Sequence, residues 1–201
     1  VKAELEKRAT GVLNLTKISQ PARVLASYTS SSGRDPIQES AMENPVMGLT
    51  PYLTVSDAKA AIEFYKKALG ATEIARHGAP GTEKLMHVRM DINGSVFFFA
   101  DDFPEFHNGK SNTPLALGGT PITLHLQVED GQATWDRAIA AGSTATMPFQ
   151  EQFWGDLYGQ FTDPFGHNWS IGQSVKNPTK EELKEGAEAA FERGREKAVK
   201  A

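Results

Sequence analysis

Tyr52-Leu53-Thr54-Val55-Ser56-Asp57 and His125-Leu126-Gln127-Val128-Glu129-Asp130 are two versions of one pattern. Each is a short run with apolar side chains at alternate positions, and each ends in an aspartate that can cap a helix. Behind the first, Ala58, Ala61, Ile62, Tyr65 and Leu69 recur at helical spacing until Gly70 stops the run. Behind the second, Trp135, Ala138, Ile139 and Gly142 repeat the arrangement. A pattern that appears twice points to a duplicated unit.

Working outward, the first copy predicts strands at 49–55, 73–77, 84–92 and 95–101. Asn93-Gly94 is a hairpin signal between the last two. The second copy predicts strands at 122–128, 145–152, 156–162 and 168–172. The order is strand, helix, three strands, twice over. Between the copies, Pro104, Gly109, Pro114, Gly118, Gly119 and Pro121 mark a linker. After Asn177-Pro178, Thr179 and Glu182 form a capping box that opens a charged helix. Its weak stripe of Leu183, Ala187, Ala190 and Phe191 either packs on its own domain or meets a partner. The expected organisation is an N-terminal arm at 1–47, a domain at 48–174 with modules 48–103 and 120–174, and a helix at 178–201.

The arm differs from the rest. Between Ala9 and Arg34 it carries Lys17, Arg23 and Arg34 but no acidic residue, and it is rich in Ser and Thr. It reads as a flexible arm, as the remnant of an organelle-targeting region, or as a segment that docks on a protein partner or a twin chain. The chain opens on Val1, the sign of a removed leader or of a start part-way through.

Composition narrows the function classes. The 201 residues carry 21 Lys and Arg against 25 Asp and Glu, a net charge of -4. No basic patch suited to nucleic acid is expected. No run reaches the ~18 apolar residues of a membrane span. Cysteine is absent, which removes disulfides, thiolate metal sites and a cysteine nucleophile, and fits an intracellular setting, cytoplasmic or mitochondrial. There is no phosphate-cradling glycine loop and no Gly-x-Ser-x-Gly elbow.

Tyr52–Val55, Ala61-Ile62-Glu63-Phe64-Tyr65 and Leu69-Gly70-Ala71 resemble the first half of the PhnB-like branch of the vicinal-oxygen-chelate (glyoxalase and bleomycin-resistance) superfamily. Phe153-Trp154-Gly155-Asp156-Leu157-Tyr158-Gly159 and Asp163-Pro164-Phe165-Gly166-His167-Asn168-Trp169 resemble its second half more closely. The resemblance covers about residues 48–173 and departs at Leu157, where the branch usually has arginine. It implies an α+β fold of paired βαβββ modules forming an open, cup-shaped sheet. In metal-dependent members the cup holds a divalent ion on His and Glu side chains from the first and last strands of the modules.

The resemblance places those ligands at Thr50 and Thr123, and at Phe98 and Ser170. None is a His or a carboxylate, so neither a metal nor another cofactor is expected. His125 shares the inward face with Thr123 and reads as a hydrogen-bonded pocket residue. His77, His87 and His107 show no metal-like spacing, and Asp101 and Asp102 read as solvated. No catalytic residue is assigned.

The expected ligand-binding set is Thr50, Tyr52, Phe98, Thr123, His125, Trp154, Asp156, Tyr158 and Ser170. Trp154 and Tyr158 read equally as pocket rim or as core. The residues support a metal-free binder of a small, partly apolar molecule. A non-catalytic subunit of a larger assembly is the alternative, and an enzyme with unusual metal ligands the third reading.

Overall fold

The computed structural model describes residues 48–200. The expectations for the arm at 1–47 lie outside them. The described chain begins with β1 (Tyr52–Val55), α1 (Ala58–Leu69), β2 (Thr72–Gly78), β3 (Leu85–Ile92) and β4 (Ser95–Asp101). A 3-10 turn (Pro104–Phe106) and the short helix α2 (Pro114–Leu117) follow. Then come β5 (Thr123–Gln127), α3 (Gly131–Ala140), β6 (Thr144–Glu151), β7 (Asp156–Thr162), β8 (Asn168–Ser174) and α4 (Lys180–Lys200).

The two copies build two four-stranded sheets of the same order, β1-β4-β3-β2 and β5-β8-β7-β6. In each, the first strand lies parallel to the last and the other pairs are antiparallel. The α+β class and the paired βαβββ architecture are therefore as expected. Among the described residues no strand pair joins the two sheets.

Local chemistry sets these elements. Asp57 caps α1 by accepting from the Ala60 amide at 2.9 Å, and Asp130 caps α3 through Ala133 at 3.0 Å. Gly70 ends α1 in the left-handed region, at φ 68°. Asn93 and Gly94 both take positive φ, 52° and 83°, between the paired Ile92 and Ser95. That conformation matches the twist of the strands it joins.

One face of each sheet is covered by its helix. Leu53, Val55, Phe97, Phe99, Val88 and Met90 are buried beneath α1, and Phe161, Trp169, Ile171 and Leu126 beneath α3. Each such large side chain contributes roughly 1.5–3 kcal/mol relative to exposure. The opposite face carries the alternate residues and stays open. The solvated reading of Asp101 is corrected here: it is buried, accepting from the Ala58 amide at 2.8 Å and the Leu85 amide at 2.6 Å. Strand parity puts it with Phe97 and Phe99 on the helix side, where an unpaired carboxylate would be costly.

The Asp163-to-Trp169 segment joins the modules. Asp163 Oδ1 accepts from the amides of Phe165 and His167, each at 2.9 Å. Its Oδ2 accepts from the Tyr65 hydroxyl at 2.8 Å and Trp169 Nε1 at 3.0 Å. His167 Nε2 lies 3.0 Å from the Thr54 carbonyl oxygen of β1. The most specific stretch of the resemblance is thus a structural joint.

Candidate functional site

The open faces are unlike. On the second module, cross-strand pairing aligns Thr123 with Asn168, His125 with Ser170 and Gln127 with Gly172. It aligns Tyr158 with Gly172 and Asp156 with Ser174. Paired residues share a face, so His125, Ser170, Tyr158 and Asp156 come together.

They are linked by a directed chain of hydrogen bonds. Ser174 Oγ donates to Asp156 Oδ1 at 2.8 Å, and Gln127 Nε2 donates to Ser174 Oγ at 3.0 Å. That fixes Gln127 Oε1 as the acceptor for His125 Nε2, 3.0 Å away. His125 Nδ1 is then the bare nitrogen and accepts from Ser170 Oγ at 2.9 Å. Both ring nitrogens of His125 are engaged, so its edge is fixed and its flat face is what it can offer.

Two aromatic neighbours extend that face. The His125 and Tyr158 rings are stacked, with centres 6.0 Å apart and planes 24° apart. Trp154 meets Tyr158 edge-on at 5.5 Å. Trp154 is 36% exposed. Gln160 Nε2 donates to the Tyr158 hydroxyl at 2.8 Å, holding the phenol from its polar end.

Two glycines make room. A side chain at Gly172 would collide with Gln127 Oε1 and meet His125 Cε1 at 2.9 Å. Gly155 has φ +95°, and a Cβ there would meet the Lys176 carbonyl oxygen at 2.5 Å. The turn that aims Trp154 therefore requires glycine.

Ser170 beside an imidazole invites comparison with a nucleophile–base pair. Ser170 is only 1% exposed, so this arrangement positions a ring rather than presenting a hydroxyl. A cleft of about 810 Å³ opens beside the chain, with Gln127, Ser174, Asp130 and Arg137 in its wall. It is open to solvent, and none of His125, Tyr158 and Trp154 lines it.

Tyr52 and Phe98 occupy the other module. They pair across β1 and β4, with ring centres 5.8 Å apart, and His87 lies 5.6 Å from Tyr52 and 4.9 Å from Phe98. Burial pushes the Tyr52 phenol above its ordinary value. Tyr52 also borders a small cleft of about 250 Å³ between the modules, with Ile122, Leu124 and Asn168. Thr50 precedes β1 and is exposed; Thr123 is exposed at the start of β5. Trp154, Tyr158, His125, Ser170 and Asp156 thus gather on the second module and Tyr52 and Phe98 on the first, while Thr50 and Thr123 join neither cluster.

The sequence reading missed Gln127, Ser174 and Gln160. Gln127 follows His125 by two residues, so parity alone could have placed it on the same face. Ser174 could not be seen because β8 runs two residues beyond the expected end.

The family model for the glyoxalase/bleomycin resistance protein/dioxygenase superfamily matches residues 44–171. The chain belongs to that superfamily. An uncharacterised protein of Mycobacterium tuberculosis is 47% identical over 136 residues, spanning 67% of this chain and 79% of its own. A crystal structure from Pseudomonas aeruginosa shares the fold at TM-score 0.52 and 24% identity, covering 65% of this chain and 100% of that one. A PhnB protein of Bacillus cereus is a further similar chain, at TM-score 0.47 and 16% identity, covering 63% and 98%.

The metal of the superfamily's metal-dependent members does not fit its usual place here. Thr50, Phe98, Thr123 and Ser170 offer hydroxyls and a phenyl ring, and the Ser170 hydroxyl is engaged by His125. Zinc, iron, nickel and manganese call for imidazole or carboxylate donors. Among the described residues no group of three or more His, Asp or Glu side chains is placed to hold a metal. No helix among them is long and apolar enough to cross a membrane.

Proposed function

We propose that this chain binds a small, flat, partly polar organic molecule on the open face of its second module, without transforming it. The observation that carries the reading is the row Trp154–Tyr158–His125. One imidazole is locked at both nitrogens, one phenol is held by Gln160, and one indole is partly exposed. Such a row offers π surface for stacking. Its surroundings offer a few fixed polar groups, chiefly Gln127, Asp156 and Gln160, which suits an aromatic ligand bearing hydrogen-bonding substituents.

The test is equilibrium dialysis of flat heteroaromatic compounds against the full chain and against Trp154→Ala, Tyr158→Ala and His125→Ala. Compounds that bind the unsubstituted chain should bind each variant more weakly. The reading fails if no compound binds, or if binding survives all three changes.

A further inference from the structure

His77 and His87 are ten positions apart along the chain. The antiparallel register of β2 and β3 sets them directly opposite one another. Their ring centres are 5.9 Å apart, with planes 33° apart. With metal–nitrogen distances of about 2.0–2.1 Å, two imidazoles on one ion have ring centres roughly 5–6 Å apart. The pair already has nearly that spacing; the β2–β3 ladder joins the two residues, and β3 is held on its other side by β4.

Tyr52 supplies the second requirement. Its hydroxyl lies 3.0 Å from His87 Nδ1 and 3.4 Å from the Met86 carbonyl oxygen. A carbonyl can only accept. With the phenol proton directed to Met86, the phenol oxygen receives Nδ1–H and leaves His87 Nε2 with a bare lone pair. Fixing one ring nitrogen so that the other faces a metal is the usual arrangement around a histidine ligand. No hydrogen bond engages Nε2 of His87, or either ring nitrogen of His77, among the described residues.

We infer that His77 and His87 form a two-imidazole site, on the open face of the first module, for a divalent ion with affinity for nitrogen donors: zinc, nickel or copper. The remaining coordination positions are filled by water. The pair lies on the second and third strands of its module in chain order, β2 at the sheet edge and β3 beside it, away from the superfamily's positions on first and last strands. It is also independent of the Trp154–Tyr158–His125 row. The sequence expectation of no metal rested on those superfamily positions and on spacing along the chain; neither registers a pair made by strand register.

The charge balance is consistent with a site of modest strength. Burial, with His77 and Arg89 nearby, holds the His87 imidazole below its ordinary pKa. That direction favours the neutral ring that ligation requires. Arg89 works the other way, by repelling a cation.

The experiment is calorimetric titration of the chelator-stripped full chain with Ni(II) and Zn(II), alongside proton NMR with substoichiometric Cu(II). One ion per chain should bind. His77→Gln and His87→Gln should each abolish that step, and His107→Gln should leave it unchanged. Tyr52→Phe should weaken binding roughly tenfold, and Arg89→Gln should strengthen it. In the unsubstituted chain Cu(II) should broaden the His77 and His87 imidazole signals first, a readout that needs no variant to fold. Absence of binding, binding that survives either histidine change, or first broadening at His107, His125 or His167 would overturn the inference.

Discussion

Tyr65 of α1 donates its hydroxyl proton to Asp163 Oδ2, 2.8 Å away, at the turn before β8. A side chain of the first module thereby completes the coordination of a buried carboxylate in the second. Tyr65 is fully buried, and its ring also meets Phe97, Phe165 and Trp169. A hydrogen bond to a charged group is worth about 1.5–3 kcal/mol. Tyr65→Phe keeps the ring and should cost about that much in urea denaturation. Asp163→Ala should cost more, because it leaves the Tyr65 hydroxyl and Trp169 Nε1 buried without an acceptor.

The same pair sets an alkaline limit. Burial first, then the charge and hydrogen bond of Asp163, hold the Tyr65 phenol well above its ordinary value of 10.0. A group whose folded pKa is raised contributes stability that is complete below the unfolded pKa, near 10, and is lost as pH climbs toward the folded one. Stability should therefore decline above about pH 10. In Tyr65→Phe this part of the decline should be missing, as judged from urea midpoints on either side of that pH.

Much of the fold was legible because its determinants are local. The Asn93-Gly94 turn, the strands at 95–101 and 156–162, and the Thr179–Glu182 capping box depend on neighbouring residues. In the capping box the Thr179 amide donates to Glu182 Oε2 at 2.7 Å, and the Glu182 amide to Thr179 Oγ1 at 3.2 Å. β1 is shorter than expected because it starts after Pro51, which has no amide proton and joins the ladder only by accepting from Phe98 N. The linker hides α2, whose signals, Thr113-Pro114 as cap and first residue and Gly118 as stop, were present but brief.

The candidate site was legible only in part. Parity placed His125 on the face of Thr123 and the resemblance pointed to Ser170, but the link through Gln127 to Ser174 and Asp156 spans three strands. The pairing of His77 with His87 depends on a register with bulges at Glu73/Ala75 and His77/Gly78. No spacing rule along the chain conveys either relationship.

Asp101 provides a sharper check on its corrected placement. It bridges the amides that begin α1 and β3. Asp101→Ala leaves both N–H groups buried and unpaired, and should cost about 3 kcal/mol or more. Asp102→Ala, which removes only an exposed bond to the Asn112 amide at 3.2 Å, should cost much less. Equal urea midpoints for the two variants would return Asp101 to the surface.

Gly172→Ala should break the polar chain and little else. The added methyl meets Gln127 and His125, both exposed, so they can turn toward solvent only by breaking the bonds that hold them. Yielding in that way gives up the bond between His125 Nε2 and Gln127 Oε1. The expected outcome is a folded protein whose His125 ring reorients faster, with slower and fewer ring environments in the unsubstituted chain, read from imidazole NMR linewidths. A ring equally ordered in both proteins would show that the chain does not fix His125.

Trp154 decides between a rim and a core at the Phe153–Tyr158 turn. Its ring meets Phe153 edge-on at 5.1 Å and Tyr158 at 5.5 Å, while 36% of the residue remains exposed. Edge-on aromatic contacts are worth about 0.5–1.5 kcal/mol. Removing a core tryptophan costs ~3–5 kcal/mol because a cavity is left behind. At this position solvent already reaches the ring, so Trp154→Ala should shift the urea midpoint by the equivalent of about 1 kcal/mol. Trp169→Ala, at 4% exposure and bonded to Asp163, should fall in the larger range and serves as the internal standard. Gly155→Ala separates turn geometry from ring contact: strained at φ +95° and pressed on the Lys176 carbonyl, it should misdirect the indole while leaving it in the chain. If the rim reading holds, Trp154→Ala and Gly155→Ala should both weaken binding of a flat aromatic compound, although only the second lowers stability substantially. A Trp154→Ala cost as large as that of Trp169→Ala would make the indole part of the core and remove one end of the aromatic row.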